Sequence, residues 1–489
     1  MLGMYIHTHW SYRHPYAART WTVADWAGFL GALHALGYDL IKIWPLLDAM
    51  PPEPNASDRA FLDTLSQVID IAHERFGMRV WIVVCPNTIG NDKAADYPHA
   101  ERPYFICEQR INPADPAAVA AFMAGRRNQL SRLANADGLV IIDSDPGGYI
   151  GSTNREFVAL VQGQIEIMRS FNPAAEFVYW MFAGWERYCR FWQEARDDDQ
   201  GRTSWWGDDW QGNEFIEPLQ LISQTIAEPW RVLAWVDEHR DALTTLGLTE
   251  KAAYYPYGTI EGEPSFPLTL WRPDVVADAC LPDKGGWCPH GIMANAQTHC
   301  LQLPHIYAFA HLAKGGGPDS LDLAGFAERL LPGHGDAIAS AWTALGHDTA
   351  EGQQGNARRI RELVGLPHAP GDLDGLLFGD ADRFLTVLAV NLEVQAALLE
   401  LGAAFKNGKP VPALQQLLAV FRPYQSCLGF EDAYGGDLAE ALNHPLQQLD
   451  DTELNTVLSD FSQWRDPTVR HGIVPRLLAA IEGYCERNG

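Results

Sequence analysis

The sequence predicts an α/β fold, a (β/α)8 TIM barrel followed by an α-helical C-terminal domain. Three observations carry this reading. Short apolar runs alternate with amphipathic helical segments through the first three hundred residues. Those runs are continuously apolar, as strands buried on both faces of a parallel sheet are. From about Leu321 onward the apolar spacing is helical throughout, as in LAGFAERLL, DAIASAWTAL and ADRFLTVLAVNLEVQAALLELGAAF. The expected division is a barrel over 1–317 and a helical domain over 318–489.

In order, Met4–His9 reads as the first strand, and Thr22 precedes a helix over Val23–Leu36. Leu40–Pro45 (LIKIWP) is the second strand, and Ser57 caps a helix over Asp58–Phe76. Arg79–Cys85 (RVWIVVC) is the third strand, with a helix at Pro116–Leu133. Leu139–Asp143 (LVIID) is the fourth, with a helix at Asn154–Ser170, and Phe177–Phe182 (FVYWMF) is the fifth. A polar, aromatic stretch then runs over 186–212, and helix is expected over Ile216–Leu246 with a break near Pro229. Ala252–Tyr257 reads as the sixth strand, Phe266–Trp271 as another and Gly291–Ala296 as the last, before a helix at Leu303–Ala313. No glycine-rich dinucleotide loop follows the first strand, which favours a closed barrel over an open nucleotide-binding sheet.

The 489 residues are 47% apolar and carry a net charge of −26, which disfavours nucleic acid and anionic membrane as partners. Eight scattered cysteines form no CxxC pair and read as reduced and buried. No apolar run reaches about 18 residues, so no membrane span is expected. The opening MLGMYIHTHW lacks a basic region followed by an apolar one, which predicts a cytoplasmic protein. No cofactor is expected. Seventeen tryptophans are many for this length, and several lie beside Gly, Asp and Asn. Aromatic faces suit the C–H faces of sugars, and an indole N–H can donate to a hydroxyl.

In a parallel barrel the chemistry gathers at the C-terminal ends of the strands. The fourth strand ends LVIIDSDPGG. Residues i and i+2 of a strand share a face about 6.5–7 Å apart, so Asp143 and Asp145 are both expected to face the cleft, as the catalytic pair. Two carboxylates in different environments can divide the roles of charged group and proton donor. The first strand ends with His7, His9 and then Arg13. An HxH at this place is a metal-site pattern, but later strand ends supply too few histidines, so no metal is expected and His9 and Arg13 are candidate sugar ligands. Asp48 and Asn87, after the second and third strands, are candidates of the same kind. So are Trp180, Trp185, Trp206 and Trp210, the last two in WWGDDWQG, which is expected over the cleft. Tyr257, Glu261 and Glu263 follow the next strand, and Asn295, Gln297 and His299 follow the last.

Strand-four acids, an aromatic cleft and a helical C-terminal domain together resemble the β-N-acetylhexosaminidase-type glycoside hydrolases of families 20, 84 and 123, β-N-acetylgalactosaminidases among them. At the level of motif the resemblance rests on LVIIDSDPGG. It implies substrate-assisted retaining hydrolysis, in which the substrate's acetamido oxygen attacks C1. Asp143 would orient that group and Asp145 would act as acid and base. In those families the two acids are adjacent, whereas Ser144 separates them here, a spacing closer to the DxE of chitinase-like enzymes. The implied substrate is a terminal amino sugar, with N-acetylgalactosamine ahead of N-acetylglucosamine. A similarity to α-glucuronidase-like barrels would instead pair one strand-four acid with Glu261 or Glu263. A metal-dependent amidohydrolase built on His7 and His9 is the reading from another class. Homo-oligomerisation is left open.

Overall fold

A computed structural model describes residues 1–9, 13–190, 213–260, 270–296, 299–428, 446–462 and 473–489. Eight parallel strands close into a barrel in chain order: β1 (Leu2–His7), β2 (Leu40–Trp44), β3 (Arg79–Val84), β6 (Gly138–Ile142), β7 (Glu176–Trp180), β8 (Trp230–Ala234), β9 (Ala252–Tyr254) and β10 (Ile292–Ala296), the last pairing with β1. A two-stranded antiparallel hairpin, β4 (Thr88–Gly90) and β5 (Glu108–Arg110), stands in the connection between β3 and β6.

Alternation along each strand divides the apolar residues into two layers. Tyr5, Leu40, Trp44, Trp81, Val83, Val140, Ile142, Val178 and Trp180 fill the barrel interior. Their neighbours Met4, Ile6, Ile41, Ile43, Val80, Ile82, Leu139 and Ile141 pack outward against the helices. This is why the strands read as unbroken apolar runs.

In the middle of the barrel the structure departs from these expectations. The helices expected over Ile216–Leu246, broken near Pro229, are Ile216–Thr225 and Asp237–Leu246, but a barrel strand, β8, lies between them. Pro229 precedes the strand, and the Trp-Arg-Val-Leu-Ala that follows pairs with β7 and β9. Ala252–Tyr254 is therefore the seventh barrel strand. Of the further strand expected over Phe266–Trp271, residues 261–269 lie outside the described residues, and Leu270 and Trp271 are not in a strand.

Thr22 caps the helix Val23–Leu36 in a reciprocal arrangement with Asp25. The next helix starts earlier than expected, at Ala56, with Asn55 rather than Ser57 as its cap. Beyond β10 the described residues contain helices only, from Leu303–Ala313 to Ile473–Asn488. One of them, Ala381–Lys406, is long and apolar enough to cross a membrane by length and composition, and no such span was expected. Some 67% of its most apolar window is buried inside the molecule, as in a core helix. All eight cysteines are free, and six are buried.

Candidate functional site

The inward side chains near the C-terminal ends of the strands build an aromatic floor. Trp180 packs edge-on against Tyr255 (5.0 Å between centroids), Trp44 (5.7 Å) and Tyr5 (5.9 Å). Beneath it Lys42, inward on β2, lies within 3.6 Å of the Trp180 and Tyr255 ring centres and 4.5 Å of Tyr5. Its ammonium nitrogen has no hydrogen-bond partner among the described residues. Burial holds this amine well below the usual lysine range. Above the floor the rings of His7 and His9 lie 4.1 Å apart, and His9 also meets Trp44 (4.7 Å) and Tyr104 (4.3 Å). Burial keeps both imidazoles well below the ordinary histidine value and hence neutral. Both ring nitrogens of buried His9 lack a hydrogen-bond partner among the described residues, as do both amide atoms of buried Asn295. Unsatisfied polar atoms at such depth are costly unless a ligand or water meets them.

Two carboxylates stand over this floor. Glu108, at the start of β5, follows Tyr104 by one helical turn. Its side chain is 11% exposed. Burial pushes its carboxyl up to about 7, reinforced by the charges of Asp48 and Asp145 and opposed by Arg110 and the Tyr104 hydroxyl. Asp145, half-buried in the loop after β6, is within electrostatic reach of Tyr5, Tyr104 and Glu108. Its backbone is left-handed, with φ 54°.

That backbone turn overturns the expectation that Asp143 and Asp145 share a face. β6 ends at Ile142, and Asp143 continues the outward side of the strand with Leu139 and Ile141. It is fully buried and its carboxylate accepts five hydrogen bonds: from Ser144 Oγ (2.6 Å), the Tyr179 hydroxyl (3.0 Å) and the backbone N–H groups of Phe182, Ala183 and Gly184 (3.1–3.2 Å). Burial raises its carboxyl above the ordinary range although these donors pull it down. Asp143 thus holds the turn after β7, and only Asp145 stands toward the mouth.

Four other expected ligands have structural duties. Asp48 is fully buried and paired with Arg126 at 2.9 Å. Asn87 donates to the carbonyls of Ile111 and Gly148 and clamps two loops. Trp185 stacks on Phe157 outside the barrel and donates its indole N–H to Ser152. His299 hydrogen-bonds to the Tyr5 carbonyl within the wall, and burial lowers it to about 4. Arg13 is exposed on a turn. Trp180, His9 and Asn295 do converge on the barrel interior, and Tyr257 packs at its edge. Trp206, Trp210, Glu261, Glu263 and Gln297 lie outside the described residues.

Glu108, Tyr104, Tyr5, Trp44 and Tyr255 escaped the sequence reading. One signal was present for Glu108, an acid directly after four apolar residues, Tyr104-Phe105-Ile106-Cys107. Among the described residues no three His, Cys, Asp or Glu side chains lie together so as to hold a metal ion.

Fold and site define a closed eight-stranded parallel barrel with a paired-carboxylate, aromatic-floored mouth. No protein-family model matches the sequence, and no curated protein matches it. The fold is similar to several solved structures. One is a family GH138 enzyme targeting pectin rhamnogalacturonan II (10% identity, 96% of this chain and 68% of that one, TM-score 0.46). Another is a family 89 glycoside hydrolase from Clostridium perfringens (11%, 98% and 62%, TM-score 0.46). A third is an O-GlcNAc hydrolase of Thermobaculum terrenum (11%, 96% and 93%, TM-score 0.43). At these identities the likeness concerns the fold alone.

Proposed function

We propose that this chain is an exo-acting glycoside hydrolase with Glu108 as proton donor and Asp145 as its partner carboxylate. The observation that carries this is Glu108, its side chain 11% exposed and its carboxyl raised to about 7, within electrostatic reach of the half-buried Asp145 at a mouth floored by Tyr5, Trp44, Trp180 and Tyr255. An acid that keeps its proton at neutral pH can give it to a glycosidic oxygen, and the second carboxylate then serves the anomeric side. Aromatic faces bind the apolar side of a pyranose.

The finer proposal is hydrolysis of a terminal β-linked N-acetylhexosamine. In it the acetamido oxygen attacks C1 while Glu108 protonates the departing oxygen. Asp145 holds the acetamido N–H, in the place first expected of Asp143. Glu108, now ionised, then takes a proton from the water that opens the cyclic intermediate. The neutral imidazole of His9 and the amide of Asn295 are free to meet sugar hydroxyls. A panel of nitrophenyl glycosides (β-GalNAc, β-GlcNAc, α-glucuronide and β-galactoside) tests the reading. Turnover of a β-N-acetylhexosaminide that is blocked by a thiazoline mimic of the cyclic intermediate supports it. Turnover of the other glycosides alone, or azide rescue of Asp145→Gly, shows a protein nucleophile instead. Inactivity on all four refutes the exo-glycosidase reading.

A further inference from the structure

We propose that Asp48 is a positioning residue that fixes the Trp44 platform of the proton donor's site through a buried link to Arg126. This inference rests on the reading of Glu108 as that donor. One oxygen of Asp48 accepts the Trp44 indole N–H at 2.8 Å. The other accepts the Cys85 backbone N–H at 3.0 Å and Arg126 Nη2 at 2.9 Å. Arg126, from the helix Pro116–Leu130 outside the barrel, also donates to the carbonyls of Cys85 (3.3 Å) and Thr88 (2.9 Å), and to Gln129 Oε1 (2.9 Å). Gln129 in turn donates to the carbonyls of Leu47 and Met50. Asp48, Arg126 and Gln129 are all fully buried.

The purpose of so much buried polarity is legible in the backbone. Leu46 adopts φ 57°, a left-handed conformation that a branched side chain rarely takes. This reversal brings Asp48 back to Trp44, four residues before it. Hydrogen bonds to both sides of the turn hold it there. An outer helix thereby fixes the plane of one ring in the floor. A buried pair of this kind contributes little net stability compared with an apolar pair, so specificity of geometry is its better-supported role.

The charge of Asp48 also acts on Glu108. The groups acting on Glu108 are Arg110 on its own strand, Asp48 after β2, Asp145 after β6 and the Tyr104 hydroxyl. Removing the negative charge of Asp48 must make Glu108 easier to ionise.

The experiment is a ¹³C NMR titration of the Glu108 carboxyl, assigned by its loss in Glu108→Gln, in the wild-type chain, Asp48→Asn and the double variant Asp48→Asn/Arg126→Gln. The double variant avoids leaving Arg126 buried without its partner. The expected result is a midpoint lowered by about one pH unit in Asp48→Asn, and lowered less in the double variant, where loss of the Arg126 cation offsets loss of the carboxylate. Trp44→Phe leaves the ion pair intact and so does not depend on its loss being tolerated. It should raise KM about tenfold with kcat within about threefold, and leave the Glu108 midpoint in place. An unchanged midpoint in folded Asp48→Asn, or an unchanged KM in Trp44→Phe, overturns the proposal. A lowered midpoint in a protein inactive on every glycoside refutes the hydrolase reading and leaves the coupling of Asp48 to Glu108 standing.

Discussion

Glu108→Gln separates the cost of burying a carboxyl from its use. Glu108 has an ordinary value of 4.5 and is raised to about 7 in the fold, first by burial and then by the charges of Asp48 and Asp145. Each pH unit corresponds to about 1.4 kcal/mol, so ionising Glu108 in the folded chain costs at most about 3 kcal/mol more than in the unfolded chain. The sign follows from proton binding. Between pH 4.5 and 7 the native state holds this proton and the unfolded state loses it. Glu108 therefore favours the fold most at acid pH, and this contribution is lost as pH rises through 7. Replacing it with neutral glutamine should change stability little at pH 4. At pH 8 it should raise stability relative to wild type by up to about 3 kcal/mol. Urea unfolding of both proteins at pH 4, 6 and 8 measures the difference directly. The same variant should lose about 10²–10⁴-fold in kcat toward substrates whose leaving group needs a proton. A stability difference that does not vary with pH would show that Glu108 is not held protonated, and the assignment of the donor would fall with it.

Three further outcomes follow from other parts of the site. Asp143→Asn turns an amide NH2 toward donors that now meet a carboxylate oxygen, and should destabilise the fold by about 2–5 kcal/mol in urea melts. Lys42→Met should stabilise the chain at pH 7, because burial depresses the lysine amine and the unfolded chain binds that proton more readily. The advantage of the methionine variant should shrink as pH rises toward 10.5, and a gap that widens instead would contradict the buried, unpaired amine. Trp185→Phe removes a bond to Ser152 outside the barrel and should lower the melting temperature while leaving KM within about twofold, the reverse of Trp44→Phe.

How far the sequence speaks depends on how local the cause is. Seven of the eight barrel strands follow from runs apolar on both faces, which need no partner to be recognised. β8 does not, because its five residues sit between two helices and their apolar spacing joins smoothly onto both. Only Pro229 marks the break. The site is harder to read for the same reason. Trp180 lies at a strand end, where barrel geometry draws attention, but Tyr5 lies within its strand and is indistinguishable from core until the barrel closes. Trp185 shows the converse, an aromatic beside glycine that packs into the core. Glu108 owes its character to burial and to the charges of Asp48 and Asp145, from two loops far from it in sequence, set against Arg110 on its own strand. The acid pair fails as a pair because period-two alternation holds only while the chain remains a strand, and β6 ends one residue before Asp143.

The end of that strand also offers a way to tell the two acids apart by substitution. An L-residue in the left-handed region costs about 1–2 kcal/mol, with Asp and Asn among the better tolerated side chains and glycine free of the penalty. Asp145 sits at φ 54°. Glycine there relieves the backbone, but gains freedom in the unfolded chain worth about 0.4–1 kcal/mol. Asp145→Gly should therefore remain within about 1 kcal/mol of wild type, whereas Asp145→Ala should lose about 1–2 kcal/mol. If the carboxylate works on the substrate, both variants should fall by about a thousandfold in kcat despite this difference in stability. Asp143 should behave oppositely, since its carboxylate is spent on five donors and its removal takes the turn after β7 with it. An active Asp145→Gly protein would mean that the residue was retained for its tolerance of a left-handed backbone, and the search for Glu108's partner would have to move to another loop of the mouth.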